Sequence, residues 1–104
     1  MGDYVLIYIG GDEAATEEAA AADMDAWMAW FGEIGPVVVD GGNPFGPSAS
    51  IAPDGTVSTG TVSRASGYSV IRADSLEAAV TLATGCPHLQ ANGTIEVYET
   101  FEVM

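Results

Sequence analysis

Residues 16–36 constrain the fold more than any other part of the chain, because they combine an amphipathic helical pattern with signals for both helix ends. Thr16 is suited to cap a helix N-terminus. The negative charges of the glutamates at positions 17 and 18 interact favourably with the positive end of the helix dipole. Gly35-Pro36 is a typical helix stop. The apolar side chains that recur at helical spacing are Met24, Trp27, Met28, Phe31 and Ile34, with Trp30 at the edge of the same stripe. We therefore predict a helix that packs this whole stripe into the core.

Short apolar segments on both sides of this helix predict β-strands. Residues 4–9 form a continuous apolar run that ends at two glycines, and residues 37–39 are three valines directly after the helix. Residues 67–73 predict a third strand. Residues 95–103 alternate between apolar and polar side chains, broken on the apolar side by Glu99, which predicts a strand with one face in water.

The connections between these segments predict a second helix and a hairpin insert. Asp74 and Glu77 have the spacing of a capping box, and Leu76, Ala79, Val80 and Ala83 follow on one helical face until Gly85. Residues 40–47 are rich in glycine and proline, which is typical of a loop. The turn signal at residues 53–55 separates two short extended stretches and predicts a hairpin within residues 48–62.

This order of elements predicts one α+β domain over residues 1–104. Its two β-α-β units, separated by the insert, fit the ferredoxin-like plan of an antiparallel sheet with both helices on one face. A chain of 104 residues leaves no room for a second domain.

The charge and cysteine content exclude several classes of function. Fifteen acidic residues face only Arg64 and Arg72, with no lysine, which argues against nucleic acid and against anionic membrane surfaces as partners. Cys86 is the single cysteine, so no internal disulfide forms, and the N-terminus lacks a signal peptide pattern. We expect a cytoplasmic protein. With one histidine and one cysteine, far from zinc-ligand spacing, we expect no metal site and no cofactor.

Four stretches in this order resemble the YCII-related family, in the superfamily of dimeric α/β barrels. They cover most of the chain and are residues 4–8, the loop 42–47, residues 67–71 running into 74–79, and residues 85–88 followed by 93–97. The resemblance implies a homodimer in which two sheets face each other as a dimeric α/β barrel. It also implies, for an enzyme, proton abstraction or a lyase-type step on a small cyclic or carbonyl compound.

The sequence departs from the pattern found in family members that are associated with catalysis. These commonly pair a histidine early in the first helix with a loop aspartate, whereas residues 23–27 contain no histidine. Asp40 and Asp54 are both possible counterparts of the loop aspartate. His88 lies instead after the second helix, where it either takes part in catalysis or fills a turn and bonds a backbone carbonyl.

The candidate site residues follow from these considerations. If the protein is an enzyme, we predict that Asp40 is the base and that His88 is an acid or an orienting group. The ligand is predicted to lie between the sheet and the helix. The predicted ligand-binding residues are Trp27, Phe45 and Asp23, the last because its helical angle puts a carboxyl beside the tryptophans. The alternative is a non-catalytic dimeric module that senses a ligand or supports another protein.

Overall fold

The computed structural model describes residues 2–103, so residues 1 and 104 of the predicted domain lie outside the described part. The helices and strands of this part, in chain order, are β1 Gly2–Gly10, α1 Glu17–Ile34, β2 Val38–Asp40, β3 Ala49–Ile51, β4 Val57–Thr59, β5 Ala65–Ala73, α2 Leu76–Ala83 and β6 Gly93–Glu99. Short 3₁₀ helices at Gly35–Val37 and Pro87–Ala91 precede β2 and β6. Neither α-helix of residues 2–103 combines the length and apolarity needed to cross a bilayer.

The main sheet has four antiparallel strands in the order β2-β5-β1-β6. The two long strands form its centre, where Leu6 is opposite Ser69 on one side and Val97 on the other. Strands β3 and β4 pair with each other as a separate hairpin. The chain is thus an α+β protein with antiparallel sheets and the predicted hairpin insert, an architecture compatible with the ferredoxin-like plan.

Helix α1 has the predicted ends but a different buried face. The Thr16 hydroxyl accepts a hydrogen bond from the backbone N–H of Ala19 at 3.0 Å, as expected for the cap. Trp30 and Ile34 are buried, whereas Met24 and Met28 are 63% and 66% exposed. The prediction that both methionines belong to the core was wrong. Successive residues turn by about 100°, so the buried face is centred between the two tryptophans and leaves the methionines on its flank.

Helix α2 begins one residue later than predicted. Ser75, and not Asp74, is the cap, because its hydroxyl accepts from the N–H of Ala78 at 3.1 Å. Ala79 and Ala83 are buried as predicted, but the larger apolar residues at positions 76 and 80 are 46% and 44% exposed. The small alanines face the sheet, which allows the helix to approach it closely.

The strands after α1 and at the C-terminus also differ from prediction. Residue 37 belongs to the 3₁₀ helix that starts at Gly35, so β2 comprises residues 38–40 and not 37–39. Strand β6 ends at Glu99, and Phe101 and Val103 are 83% and 78% exposed. The N–H and hydroxyl of Thr100 both bond the Asp3 carbonyl, close to where the paired strand β1 begins, so little partner backbone remains beyond it. The Glu99 carboxylate accepts a hydrogen bond from the Tyr4 hydroxyl at 2.7 Å, which explains the acidic break in the alternation.

The core lies between one face of the sheet and the two helices. Its buried apolar side chains are Tyr4, Leu6, Tyr8, Trp30, Ile34, Ile71, Ala73, Ala79, Ala83 and Cys86. Because side chains alternate along a strand, Val5, Ile7 and Val70 point to the opposite face, away from both helices, and are half-buried. This open sheet face, defined by Val5, Ile7 and Val70, is therefore apolar at its centre, while Asp3, Arg72 and Glu96 lie around these residues on the same face.

Candidate ligand cavity

A cavity of about 490 Å³ lies between helix α1 and the sheet, and we refer to it as the α1 cavity. The helix contributes residues spaced by three, four or multiples of these, which puts them on one helical face, namely Ala20, Asp23, Met24, Trp27 and Phe31. The strands contribute Tyr8, Gly67 and Tyr68, the loop after β2 contributes residues 41–44, and His88 contributes from the 3₁₀ helix. Its volume is in the range of about 300–1,000 Å³ that is typical of small-molecule sites.

A second cavity of about 310 Å³ adjoins the first, since both are lined by Asp23, Trp27, Ser66 and His88. The last residue of β1 and the loop after it, residues 10–13, form its other wall. That loop is held in place by the 3₁₀ helix, because the Asp12 N–H donates to the Ala91 carbonyl at 2.7 Å.

His88 is buried and is held by a backbone carbonyl, as one of the two sequence interpretations predicted. Its Nε2 lies 3.0 Å from the Ile9 carbonyl oxygen, and because a carbonyl accepts, Nε2 is the donor and Nδ1 is an acceptor in the neutral ring. Nδ1 has no hydrogen bond among residues 2–103, and no fully shielded polar side-chain atom in that range lacks a partner. Nδ1 is therefore not fully shielded from solvent, and His88 lines both cavities.

The histidine ring lies between two glycines that leave room for it. A Cβ at Gly93 would lie 2.1 Å from Nε2, and one at Gly11 would lie 2.7 Å from Cε1. The ring also contacts Tyr8, with centroids 5.3 Å apart. The position of His88 is thus determined by the absence of side chains at positions 11 and 93.

A buried hydrogen-bond chain lies beneath the α1 cavity. The Tyr8 hydroxyl donates to the Ser69 hydroxyl at 2.7 Å, and the Ser69 hydroxyl donates to the Gly41 carbonyl at 2.7 Å. Burial raises the pKa of the Tyr8 phenol above its ordinary value, although the Ser69 hydrogen bond acts in the opposite direction. Sequence reasoning missed this chain. The signal was a serine in the buried alternation of β5, between Gly67 and Ile71.

Cys86 lies next to this chain and is 1% exposed. Burial raises the pKa of its thiol to about 11. A thiol in this environment is a poor nucleophile.

Of the predicted site residues, Asp23, Trp27 and His88 come together at the cavities. Asp40 is exposed and lines neither cavity. Its carboxylate accepts from the Gly42 N–H at 2.8 Å, an Asx-turn, and from the Tyr68 hydroxyl at 3.3 Å.

Phe45 and Asp54 also line neither cavity. The Phe45 ring is 46% exposed and stacks on Tyr68 with centroids 5.8 Å apart. Asp54 lies in the hairpin turn, where hydrogen bonds from Thr56 lower the pKa of its carboxyl. Among residues 2–103, no three histidine, cysteine or acidic side chains are grouped so that they could hold a metal ion.

Comparison of the chain with protein-family models, with curated proteins and with solved structures found no match. The geometry of the two cavities and the residues that line them are therefore the basis for a functional hypothesis.

Proposed function

We propose that the protein is a homodimer that binds a small organic molecule in the α1 cavity. The observation that carries this proposal is the combination of an aromatic wall, formed by Tyr8, Trp27 and Phe31, with two polar groups, Asp23 and His88, around one space of about 490 Å³. Small-molecule sites commonly have this composition, with an apolar lining and a few polar groups that orient the ligand.

The homodimer is supported by the surface that a lone chain exposes. Its accessible area is 7223 Å², whereas a monomeric protein of its mass exposes about 5,500 Å². Its radius of gyration is 15.2 Å, whereas about 13 Å is expected for a compact chain of this length. The apolar centre of the open sheet face is the surface that a second copy is expected to cover, and the resemblance to the YCII-related family implies the same sheet-to-sheet barrel.

Sedimentation velocity at micromolar concentration tests the dimer. We expect the wild type to sediment at twice the chain mass of 10.7 kDa. Val5→Arg, which puts a charge on the open sheet face, should give a folded monomer. Val80→Arg is the matched control, because Val80 is an exposed valine on α2, on the other side of the sheet. A monomeric wild type, or an equal effect of both substitutions, contradicts the proposed interface.

A fragment screen by NMR, with neutral, cationic and anionic compounds, tests the cavity. Ala20 lines the α1 cavity, so Ala20→Phe is expected to fill part of it and to abolish the binding of fragments that enter there. Ala22 is exposed on α1 and lines neither cavity, so Ala22→Phe should leave binding unchanged. If no fragment distinguishes these two variants, the proposed binding function is wrong.

A proton-transfer or lyase-type reaction on a small cyclic or carbonyl compound is the second candidate, because His88 lines the cavity and has a ring nitrogen that is neither hydrogen-bonded nor fully shielded. The pairing of Asp40 with His88 stays a prediction. In its present rotamer the Asp40 carboxylate is engaged by Gly42 and Tyr68, which favours the non-catalytic sensing or accessory module.

Deuterium exchange at carbon next to a carbonyl, followed by NMR for each fragment that binds, separates these two candidates. An enzyme should exchange such protons in the wild type and lose the exchange in His88→Gln while the fragment still binds. Exchange that survives in His88→Gln argues against His88 as the proton carrier. Binding without exchange in the wild type supports the non-catalytic module.

A further inference from the structure

The charged groups at the two cavities have one sign. Every side chain with a fixed charge that lines them, within residues 2–103, is acidic: Asp23 lines both cavities, and Asp12 and Glu13 line the second. Neither arginine lines either cavity, and the chain contains no lysine. Arg72 pairs with Asp3 at 3.2 Å. With a net charge of −13, the whole protein reinforces this local negative potential.

Four backbone N–H groups near the cavities, of the kind that bind an anion in other proteins, already have acceptors. In the loop after β2, Gly42 donates to the Asp40 carboxylate and Phe45 donates to the Ser66 carbonyl. In the loop after β1, the N–H groups of residues 10 and 12 donate to the carbonyls of residues 64 and 91. These four donors are therefore not free to bind a carboxylate or a phosphate.

The aromatic side chains provide the complementary feature. The rings of Tyr8 and Trp27 meet at 83° with centroids 5.1 Å apart, and Phe31 lies 5.9 Å from Trp27. An ammonium group is attracted to the face of an aromatic ring when it lies within about 6 Å of the ring centroid. Asp23 is one helical turn before Trp27, so its carboxylate lines the same space.

We propose that the α1 cavity selects a small organic cation, an amine or quaternary ammonium with an apolar or aromatic body, and rejects carboxylates and phosphates. This inference rests on the proposed binding function and names the ligand class of that site. The cation lies against Trp27 and Tyr8 and close to Asp23, and the apolar body occupies the space beside Phe31. The free Nδ1 of His88 accepts a hydrogen bond when the ligand is an amine with an N–H.

An NMR titration with three probes of similar size tests the selection. The probes are benzyltrimethylammonium, benzyl alcohol and phenylacetate at equal ionic strength. We expect the cation to bind about tenfold more tightly than the alcohol, because cation–π and Coulomb attraction act on the cation alone. Phenylacetate should bind more weakly than both, because the acidic side chains repel its carboxylate. Resonances of the Trp27 indole should shift with the cation.

Two aspartate variants separate a local contact from the general charge of the protein. Asp23→Asn should weaken the cation about tenfold and leave benzyl alcohol unchanged, since only the cation attracts the carboxylate. Asp25→Asn removes the same charge from the exposed side of α1 and lines neither cavity, so it should leave the cation within about twofold. Equal effects of both variants overturn the proposal.

The remaining outcomes are also decisive. Absence of benzyltrimethylammonium binding, or phenylacetate that binds as tightly, overturns the cation selection. If other fragments still enter the cavity and Ala20→Phe blocks them, the binding function stands while the ligand class is wrong. If no fragment is blocked by Ala20→Phe, the binding function itself is wrong.

Discussion

Substitution of Gly93 by alanine is expected to destabilise the protein through one side chain, His88. The new Cβ would lie 2.1 Å from Nε2 and 2.4 Å from Cδ2 and Cε1, whereas real Cβ contacts under 3.0 Å essentially never occur. The ring must therefore retreat by about 1 Å, and Gly11 and Tyr8 limit its movement on other sides.

The magnitude follows from what the ring loses. Retreat breaks the 3.0 Å hydrogen bond from Nε2 to the Ile9 carbonyl. That loss costs about 0.5–1.5 kcal/mol, and overpacking of a filled site costs about 1–3 kcal/mol. We expect the free energy of unfolding to fall by about 2–4 kcal/mol, a large part of the stability of a small domain. The measurement is urea unfolding, followed by circular dichroism at one fixed protein concentration.

A double-mutant cycle identifies His88 as the cause. When His88→Ala removes the ring, Gly93→Ala no longer meets an obstacle, so the double variant should be no less stable than His88→Ala alone. Gly32→Ala is the control for added bulk. Gly32 is exposed inside α1 with nothing within 4 Å of a new Cβ, so alanine should raise stability by about 0.5–1 kcal/mol. Additive costs in the cycle, or a Gly93→Ala variant as stable as the wild type, would refute the reasoning.

Three further predictions concern the buried groups around the cavity. Gly42→Ala should lower the free energy of unfolding, measured by thermal unfolding, by at least about 2 kcal/mol. Gly42 has a φ of 76°, and its new Cβ would lie 1.7 Å from a backbone carbonyl oxygen of β5. Ser69→Ala should cost about 2–3 kcal/mol of unfolding free energy and Tyr8→Phe about 1 kcal/mol, both measured by urea unfolding, because loss of the serine leaves the buried Tyr8 hydroxyl without a partner and also breaks the bond to the Gly41 carbonyl; equal costs would contradict the hydrogen-bond chain. Burial raises the pKa of Cys86 from 9.0 to about 11, so its contribution to stability is complete below pH 9 and is lost as the pH rises towards 11. Unfolding midpoints at pH 8–11 should fall less steeply in Cys86→Ala, and a slope equal to that of the wild type would contradict this assignment.

Local sequence signals predicted the elements well where a few neighbouring residues decide the structure. The ends of α1 follow from Thr16 and Gly35, which act on N–H and carbonyl groups within one helical turn. The same kind of signal placed the start of α2 one residue too early. Asp74 and Ser75 are both good caps, and the sequence does not show which of the two side chains bonds the N–H three residues further on.

The structure brings some of the predicted site residues to the cavities and not others. The helical angle of Asp23 correctly indicated its side of α1, and Trp27 and His88 also line the cavities. Phe45 and Asp40, which were also predicted to lie beside the ligand, do not line the cavities. The Phe45 ring stacks on Tyr68, and the Asp40 carboxylate accepts hydrogen bonds from Gly42 and Tyr68. Those contacts depend on the position of the loop over β5, which no local pattern encodes.

The sequence by itself determined the order of strands and helices, the hairpin insert and the strongly acidic charge, since these depend on composition and on periodicity over a few residues. The tertiary structure decided which faces are buried and which side chains meet. His88 and the Ile9 carbonyl are 79 residues apart in sequence, and their contact exists because glycines at positions 11 and 93 leave space for the ring. Burial on α1 was likewise decided by where the helix crosses the sheet, which buries Trp30 and leaves Met24 and Met28 in solvent.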